Sequence, residues 1–168
     1  NICIFDPLIG KEGEFRQQGR SPPGQSLTER FPILHYGEVP DYNLSKWTFR
    51  FFGEIETPRT FTWAEFQKLP TRRMTMDIHC VTKWSKMDTV WEGVWVPDLI
   101  DAGIITLKPT ARFAIQHCEY GFTTNLDLAH MLRPTTLLAM RYNDEPLTPD
   151  HGFPLRVVVG AVKEQSQD

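Results

Sequence analysis

The chain has 168 residues, of which 40% are hydrophobic and 23% are charged, with 18 Lys and Arg against 21 Asp and Glu. This composition is typical of a globular protein and excludes a disordered or collagen-like chain. The net charge of -3, with no basic block, argues against a nucleic-acid-binding protein. No apolar run approaches the roughly 20 residues of a membrane-spanning helix, so we expect a soluble protein without membrane insertion.

The three cysteines, Cys3, Cys80 and Cys118, cannot all form intramolecular disulfides because their number is odd. At least one free thiol is therefore expected, which suits a reducing compartment or a thiolate with a chemical role. The first residues also lack the charged and apolar regions of a secretion signal. We expect a cytoplasmic protein, and the periplasm stays open if the N-terminus is processed.

The first part of the chain, residues 1–45, shows no sustained periodicity and predicts an extended N-terminal arm wrapped on a domain that covers residues 46–168. In the domain, Phe49 and Phe51 alternate with polar residues and predict a strand within 46–56. A short helix is predicted over 62–70, because it starts at capping-box spacing and stops at a proline.

The segment 72–80 alternates and predicts a strand with an apolar and a polar face. The apolar face contains Met74, Met76, Ile78 and Cys80, and the polar face contains Thr75, Asp77 and His79. Later predicted elements are a helix at 97–103, a strand at 111–118, a helix at 125–132 capped by Asn125, two strands around the turn Asn143-Asp144, and a strand ending the segment 151–159. Strands with a few short helices predict an α+β fold with mixed or mainly antiparallel sheets.

Cys80 is the first candidate for chemistry, because the predicted strand delivers it to a sheet edge. Lys83 and Lys86 follow it closely, and nearby positive charge favours a thiolate. The alternative is a small buried hydrophobic residue that continues the face of Met76 and Ile78. Spacing alone favours that alternative.

The dipeptide His-Cys occurs at 79–80 and at 117–118, which raises two further possibilities. A zinc site is disfavoured, because neighbouring strand residues point to opposite faces and no C-x2-C turn is present. A thiol enzyme could pair Cys80 with His117 or His151, but no local motif supports it. The sequence also has no Gly-rich phosphate-binding loop.

The segment 148–156 holds a second pair of candidates, His151 and Arg156, on either side of a Gly-Phe-Pro turn. Both are expected to project from one edge, where an arginine can bind a phosphate or an oxyanion through two parallel hydrogen bonds. The alternative is a solvated arginine and a turn histidine, and the local pattern alone favours it.

Three segments together carry a resemblance to a known family: DIHCVTKWSKMDTVWEGV, HCEYGFTTNLDL and LLAMRYNDEPLTPDHGFPLRVVV. In this order and spacing they resemble the sulfite-oxidase-like molybdopterin oxidoreductases, and above all a branch of small, haem-free bacterial and archaeal proteins. The resemblance runs from about residue 21 to Val159. It implies a sulfite-oxidase-type α+β fold around one molybdenum-molybdopterin cofactor.

The resemblance implies that Cys80 is the protein ligand of molybdenum, since a thiolate suits a redox metal held mostly by sulfur. It assigns cofactor contacts to further residues, namely His35, Tyr36, Cys118, His151 and Arg156. The pair His35-Tyr36 replaces the Asn-His usual in sulfite oxidases. Among catalytic groups, Tyr120 resembles the active-site tyrosine, with Phe122 as an alternative register, and Lys83 is a candidate for attracting anions.

Two departures from the family pattern modify this expectation. Lys83-Trp84 stands where sulfite oxidases carry a second arginine, so a neutral, sulfoxide-like substrate fits at least as well as sulfite. After Val159 the chain reads GAVKEQSQD where the family has a lysine-rich phosphate anchor, and Lys163 is a poor substitute. We therefore expect a shortened C-terminal end and a larger role for Arg156.

Together these inferences predict a molybdenum-dependent oxidoreductase that transfers an oxygen atom to or from a small sulfite- or sulfoxide-like substrate. Such an enzyme also needs an electron-transfer partner, which the sequence does not identify. The alternative is a non-catalytic binding or scaffold domain that keeps the fold without the metal. Cys3, in the arm and outside the matched region, is expected to be functionally silent.

Overall fold

The computed structural model describes residues 7–35 and 37–161, so Cys3, Tyr36 and Lys163 lie outside the described residues. The strands are β1 (Ser26–Leu27), β2 (Thr48–Phe51), β3 (Arg59–Thr62), β4 (Arg72–His79), β5 (Trp84–Val94), β6 (Phe113–His117), β7 (Thr123–Asp127), β8 (Thr136–Tyr142), β9 (Glu145–Pro146) and β10 (Arg156–Val159). The α-helices are α1 (Pro7–Gln17), α2 (Trp63–Phe66), α3 (Val96–Asp101) and α4 (Leu128–Met131). None of these helices is long and apolar enough to cross a membrane.

Strand β5 organises a six-stranded sheet. It pairs antiparallel with β4 along most of its length and with β8 near its end, and it pairs parallel with the short β1 at its start. Strand β8 is paired antiparallel with β10 and with β9. Two small antiparallel sheets, β2–β3 and β6–β7, are separate from this sheet. Because β1–β5 is the one parallel pairing among the described strands, the predicted α+β fold with mainly antiparallel sheets is confirmed.

Strand β8 shows how the main sheet is covered on both faces. Leu138 packs in one buried cluster with Phe66, whereas Leu137 packs in a second cluster with Met76 and Trp91. Neighbouring residues of a strand point to opposite faces, so the two clusters lie on opposite sides of the sheet. This double burial explains why β8 carries the continuous apolar run Leu-Leu-Ala-Met.

Several predicted elements are confirmed. Phe49 and Phe51 alternate with exposed residues in β2 and pack against the first cluster. The capping box at the start of α2 is present, because the Thr62 hydroxyl accepts from the Glu65 amide and the Glu65 carboxylate accepts from the Thr62 amide. The turn between β8 and β9 has positive φ at Asn143 and its neighbour, as expected for such a turn.

The predicted helix over 125–132 is wrong in its start and its cap. Asn125 lies in β7, where it pairs with Ile115 of β6. Helix α4 begins three residues later, and Asp127 caps it by accepting a hydrogen bond from the His130 amide at 2.7 Å. Asn and Asp are equally good N-caps, so cap preference does not decide between Asn125 and Asp127. The pairing of β6 with β7 decides, because it keeps Asn125 in a strand.

The predicted irregular arm contains a helix, α1, that was not expected. It lacks an apolar stripe, which is the signal by which helices are usually recognised. The available signal was the i,i+4 pair of Glu12 and Arg16, which form an ion pair on its surface. The domain boundary at residue 45 stays a prediction, and β1 joins this part of the chain to the main sheet.

The predicted alternation of β4 fails at Asp77, where the register with β5 shifts. Asp77 is 1% exposed rather than on a polar surface. Its carboxylate accepts two hydrogen bonds from the Arg20 guanidinium, at 2.8 and 2.7 Å, and a third from the Asp88 amide at 2.9 Å. The buried charge is therefore fully paired, and the pair ties the N-terminal segment to β4.

Replacing Asp77 by Asn should lower the free energy of unfolding by about 3 kcal/mol, because it leaves the mostly buried Arg20 without its bidentate partner. The matched control is Asp144→Asn, which removes the carboxylate bound by the exposed Arg73 at 3.0 Å. That exposed pair should contribute less than about 1 kcal/mol. Urea unfolding followed by circular dichroism measures both changes. An equal decrease in the free energy of unfolding in the two variants would show that the buried pair stabilises the fold no more than the exposed pair does.

Candidate active site

A cleft of about 310 Å³ opens beside the turn between β4 and β5. Three parts of the chain line it: Phe31, Pro32 and Leu34 from the N-terminal segment, Ile78, His79, Cys80, Trp84 and Trp91 from β4, β5 and their turn, and Asp150, His151 and residues 156–159. Cys80, His151 and Arg156, which are distant in sequence, therefore line the same cleft. These are three of the residues predicted to form the site.

Cys80 occupies the first position of the tight turn that joins β4 to β5. Its amide donates to the Trp84 carbonyl at 2.9 Å, and its carbonyl accepts from the Lys83 amide at 3.0 Å. The thiol is half-buried, and the Thr82 hydroxyl donates to its Sγ at 3.0 Å. The turn therefore fixes the position of the thiol at the cleft.

The two lysines near Cys80 are directed elsewhere. Lys83 is exposed and does not line the cleft. The Lys86 ammonium donates to the Glu29 carbonyl, and burial lowers the pKa of Lys86. Within the described residues neither lysine makes a hydrogen bond to Cys80 Sγ, so Thr82 is the group that contacts the sulfur. A catalytic role for Lys83 stays a prediction.

Arg156 places a guanidinium group in the wall of the cleft. Its Nη1 donates to the His151 carbonyl at 3.0 Å, and its Cζ lies 5.5 Å from the ring centre of Phe31 and 5.7 Å from that of Trp91. Burial lowers the pKa of Arg156 from its ordinary value. No ion pair joins it to a carboxylate within residues 7–35 and 37–161. A largely desolvated cation without a carboxylate partner favours the binding of an anion.

The backbone conformation of Gly152 accounts for the turn that precedes Arg156. Gly152 has a φ of 98°, a conformation that residues with a side chain rarely adopt. A Cβ atom at this position would lie 3.0 Å from Arg156 Cβ. The glycine therefore lets the turn pass close to Arg156, which begins β10 opposite Ala139 of β8.

His151 uses both of its ring nitrogens within the protein. Nε2 lies 3.2 Å from the Phe31 carbonyl and Nδ1 lies 2.9 Å from the Thr148 hydroxyl. A carbonyl can only accept, so Nε2 carries a hydrogen, and in the neutral ring Thr148 donates to Nδ1. The ring also stacks on Phe31 with centres 4.0 Å apart. In this arrangement His151 holds Phe31 in the cleft, and its contact with a cofactor stays a prediction.

His79 also lines the cleft, although sequence analysis assigned it no role beyond the polar face of a strand and a disfavoured zinc site. Its Nδ1 lies 2.7 Å from the Ser85 hydroxyl, which is the residue opposite it on β5. Burial lowers the pKa of His79, while the charge of Asp77 raises it.

The other predicted site residues that the structure describes, His35, Cys118 and Tyr120, do not line the cleft. His35 is exposed, with Nε2 3.4 Å from the Oδ1 of Asp150 at the edge of the cleft. Cys118 and Tyr120 are exposed, lie between β6 and β7, and do not line the cleft. They are near Tyr42, whose pKa is raised to about 12 by burial and then by the charges of Glu119, Cys118 and Tyr120. The predicted cofactor contacts of these residues stay predictions.

The two alternatives based on His-Cys pairs find no support in the geometry. The pair 79–80 belongs to the main sheet, whereas 117–118 belongs to the small β6–β7 sheet. In the part of the chain that the structure describes, no group of three His, Cys, Asp or Glu side chains could hold a metal ion. No histidine there forms a hydrogen bond with Cys80, whose sulfur is contacted by Thr82 instead.

Two contacts at the site were missed by sequence analysis. Phe31 packs edge-on against Trp84 and Trp91, with ring centres 6.0 Å apart in each case. No periodicity in its segment indicated this burial. The contact of Thr82 with Cys80 could have been found, because a hydroxyl residue two positions along a tight turn often bonds back to the turn.

We predict that iodoacetamide modifies Cys80 faster than Cys118 at neutral pH, although Cys118 is the more exposed thiol. Partial burial and the charge of Glu119 raise the pKa of Cys118, which lowers its thiolate fraction and slows its reaction. Peptide mass spectrometry after short reaction times measures both rates. In Glu119→Gln the rate at Cys118 should rise while that at Cys80 is unchanged. A faster reaction at Cys118 in the parent would contradict this account of the Cys118 thiol.

Comparison with known proteins identifies the family of the chain. Residues 36–163 match the family described as "Oxidoreductase molybdopterin binding domain". The chain therefore belongs to this family, and a molybdenum-molybdopterin cofactor is confirmed as the cofactor of the family.

Individual relatives support the sulfite-oxidase-like resemblance. The chain is 44% identical to the "uncharacterized oxidoreductase YuiH" of Bacillus subtilis, over 89% of this chain and 75% of that protein. It is 28% identical to the MsrP catalytic subunit of the protein-methionine-sulfoxide reductase of Campylobacter jejuni, over 71% of this chain and 45% of the relative. It is 26% identical to the sulfite oxidase of Arabidopsis thaliana, over 84% of this chain and 46% of that protein. The chain thus spans less than half the length of the last two relatives.

A solved structure supports the fold. The sulfane dehydrogenase SoxCD from Paracoccus pantotrophus superimposes with a TM-score of 0.64, over 76% of this chain and 37% of that chain. Sequence identity in this comparison is 17%. The predicted sulfite-oxidase-type fold is therefore confirmed.

Proposed function

We propose that this protein is a molybdenum-dependent oxidoreductase that transfers an oxygen atom to or from a small, neutral, sulfoxide-like substrate. One observation carries the proposal: a half-buried free thiol, Cys80, lines the same cleft as Arg156, a guanidinium that has no carboxylate partner among the residues the structure describes. A soft metal ligand and an anion-binding group are the two functions that a molybdenum ion with a phosphate-bearing pterin requires.

The donor set of the cleft fits this cofactor. Cys80 Sγ is available for a metal because its one protein contact in the described residues is a hydrogen bond from Thr82. Arg156 would hold the phosphate, since a planar guanidinium can bind two phosphate oxygens in parallel. The rings of Phe31 and Trp91 flank this guanidinium and keep water from it. When bound, the molybdenum centre supplies the two-electron chemistry and the site of oxygen transfer.

A neutral substrate fits the surroundings of Cys80 better than sulfite does. Trp84, Leu34 and Val159 contribute apolar surface to the cleft, and the ammonium of Lys83 does not line it. Arg156, the cation that does line the cleft, is assigned to the cofactor in this proposal. The name of the Campylobacter relative refers to a methionine sulfoxide, which supports the same class of substrate.

The proposal has two consequences for partners. Reduction of a sulfoxide to a thioether and water consumes two electrons and two protons, and the reverse reaction releases them. An electron-transfer partner is therefore needed in either direction. A cytoplasmic location stays a prediction.

The alternative, a scaffold that keeps the fold without metal, rested on the sequence after Val159. Most of that segment lies outside the described residues. The free thiol and the carboxylate-free guanidinium of the cleft favour the enzyme. Molybdenum and pterin analysis of the purified protein separates the two, because a scaffold would contain neither.

We predict that Cys80→Ser abolishes oxygen transfer while leaving the fold intact, because the change removes one sulfur and little volume. Sulfoxide reduction with a reduced dye as electron donor measures turnover, and circular dichroism measures the fold. Cys3→Ser is the matched control and should keep its activity, because Cys3 lies outside the region matched by the family resemblance. Full turnover of Cys80→Ser would show that Cys80 is not the metal ligand.

We predict that Arg156→Lys lowers cofactor occupancy, because lysine keeps the charge but loses the two parallel donors. Loss of one charge-assisted contact costs about 1.5–3 kcal/mol, or about ten- to a hundredfold in affinity. The control is Arg50→Lys, which makes the same change in an arginine whose Cζ lies 5.1 Å from the exposed ring of Phe52. Pterin per protein, measured by fluorescence, is the readout. Unchanged occupancy with collapsed turnover would assign Arg156 to the substrate instead.

A further inference from the structure

His79 is a polar residue of the cleft to which the proposed function gives no role. It directly precedes Cys80, and it lines the same cleft. Its Nδ1 contacts Ser85 at 2.7 Å, and Nε2 makes no hydrogen bond within the described residues. One nitrogen of the ring is therefore held by the protein and the other is available to a ligand.

A chain of hydrogen bonds determines which ring nitrogen carries the hydrogen. It starts at the Cys80 carbonyl, which can only accept, so the Gln25 atom that lies 3.1 Å from it is the amide nitrogen Nε2. The other atom of this amide, Oε1, then faces Ser85 Oγ at 3.3 Å and must accept from it. Ser85 has a single hydroxyl hydrogen, which this contact uses. Ser85 therefore accepts from His79, and Nδ1 is the donor.

In the neutral ring this assignment leaves Nε2 with a lone pair and no hydrogen. His151, on another wall of the same cleft, has the opposite tautomer, because its Nε2 donates to the Phe31 carbonyl. The cleft therefore contains one histidine that is fully used by the protein and one with an open acceptor beside the proposed metal ligand.

We propose that His79 Nε2 binds the molecule held in the cleft by accepting a hydrogen bond from one of its N–H or O–H groups. The inference rests on the proposed function, because it assumes that Cys80 lies beside a bound cofactor and substrate. The donor group can belong to the pterin, or on the substrate side to a bound water or to an N–H group of the molecule that carries the sulfoxide, because the sulfoxide oxygen itself only accepts. His79 would then select for a hydrogen-bond donor next to the sulfur of Cys80.

The tautomers are tested directly on the unmodified protein. Long-range proton–nitrogen correlation spectra of the protein labelled with 15N-histidine distinguish hydrogen on Nδ1 from hydrogen on Nε2. We expect His79 to carry hydrogen on Nδ1 and His151 to carry it on Nε2. Substitution of each histidine assigns the signals. A His79 ring with its hydrogen on Nε2 would overturn the inference.

Two substitutions separate the nitrogens of His79. In His79→Asn the side-chain nitrogen can replace Nδ1 and keep the contact with Ser85, but no atom replaces Nε2. In His79→Gln the amide oxygen can reach the place of Nε2 and accept a hydrogen bond there. Loss of the acceptor should cost about five- to tenfold in binding, whereas His79→Gln should stay within about twofold of the parent. His117→Asn, on the exposed face of the β6–β7 hairpin, is the matched control and should change nothing.

The readouts are pterin and molybdenum per protein and, for the loaded enzyme, KM and kcat with a sulfoxide. Lower occupancy of His79→Asn with unchanged KM would place the donor on the cofactor, and normal occupancy with a raised KM would place it on the substrate. Both results support the inference. It is overturned if His79→Asn changes neither quantity, or if His79→Gln is impaired as strongly as His79→Asn. A parent protein without molybdenum or pterin would instead defeat the proposed function, and this inference with it.

Discussion

The buried ion pair of Arg20 and Asp77 is the interaction on which the arrangement of the cleft depends. It holds the N-terminal segment against β4 at the point where the strand register shifts, a few residues before Cys80. From this anchor the segment continues into β1, which pairs with β5, and then to Phe31 in the cleft. A charge as deeply buried as Asp77 is tolerated because each of its oxygens has a donor. The same pair therefore stabilises the fold and brings the N-terminal wall of the cleft to Cys80.

Arg156 is a second charged group that is removed from water, but its partners differ from those of Asp77. Its guanidinium lies against two aromatic rings and donates to one carbonyl, and no carboxylate in the described residues pairs with it. Asp77 is fully paired, whereas residues 7–35 and 37–161 supply no carboxylate partner for Arg156, so this guanidinium can bind an anion from a ligand. Thr82 adds a hydrogen-bond donor at the Cys80 sulfur. In the proposed function, the cleft would hold a ligand with a soft metal at Cys80 and negative charge at Arg156.

Local patterns in the sequence predicted those elements whose burial follows a simple period. Phe49 in β2 is an example, since its strand has one face on the core and one in water. Asp77 could not be predicted, because its burial depends on a register shift and on an arginine 57 residues away. For the site, spacing alone favoured ordinary structural roles for Cys80 and Arg156, and the family resemblance identified them as candidates. The part played by Phe31 needed the three-dimensional structure, because its segment has no periodicity and its partners are distant in sequence.

In the proposed function, the cleft between Cys80 and Arg156 holds the molybdenum cofactor. Anomalous diffraction at the molybdenum absorption edge, from crystals of the cofactor-loaded protein, locates the metal. The strongest anomalous peak should lie in the cleft, at bonding distance from Cys80 Sγ. A strongest peak beside Cys118, or at any place outside the cleft, would show that the cofactor binds elsewhere.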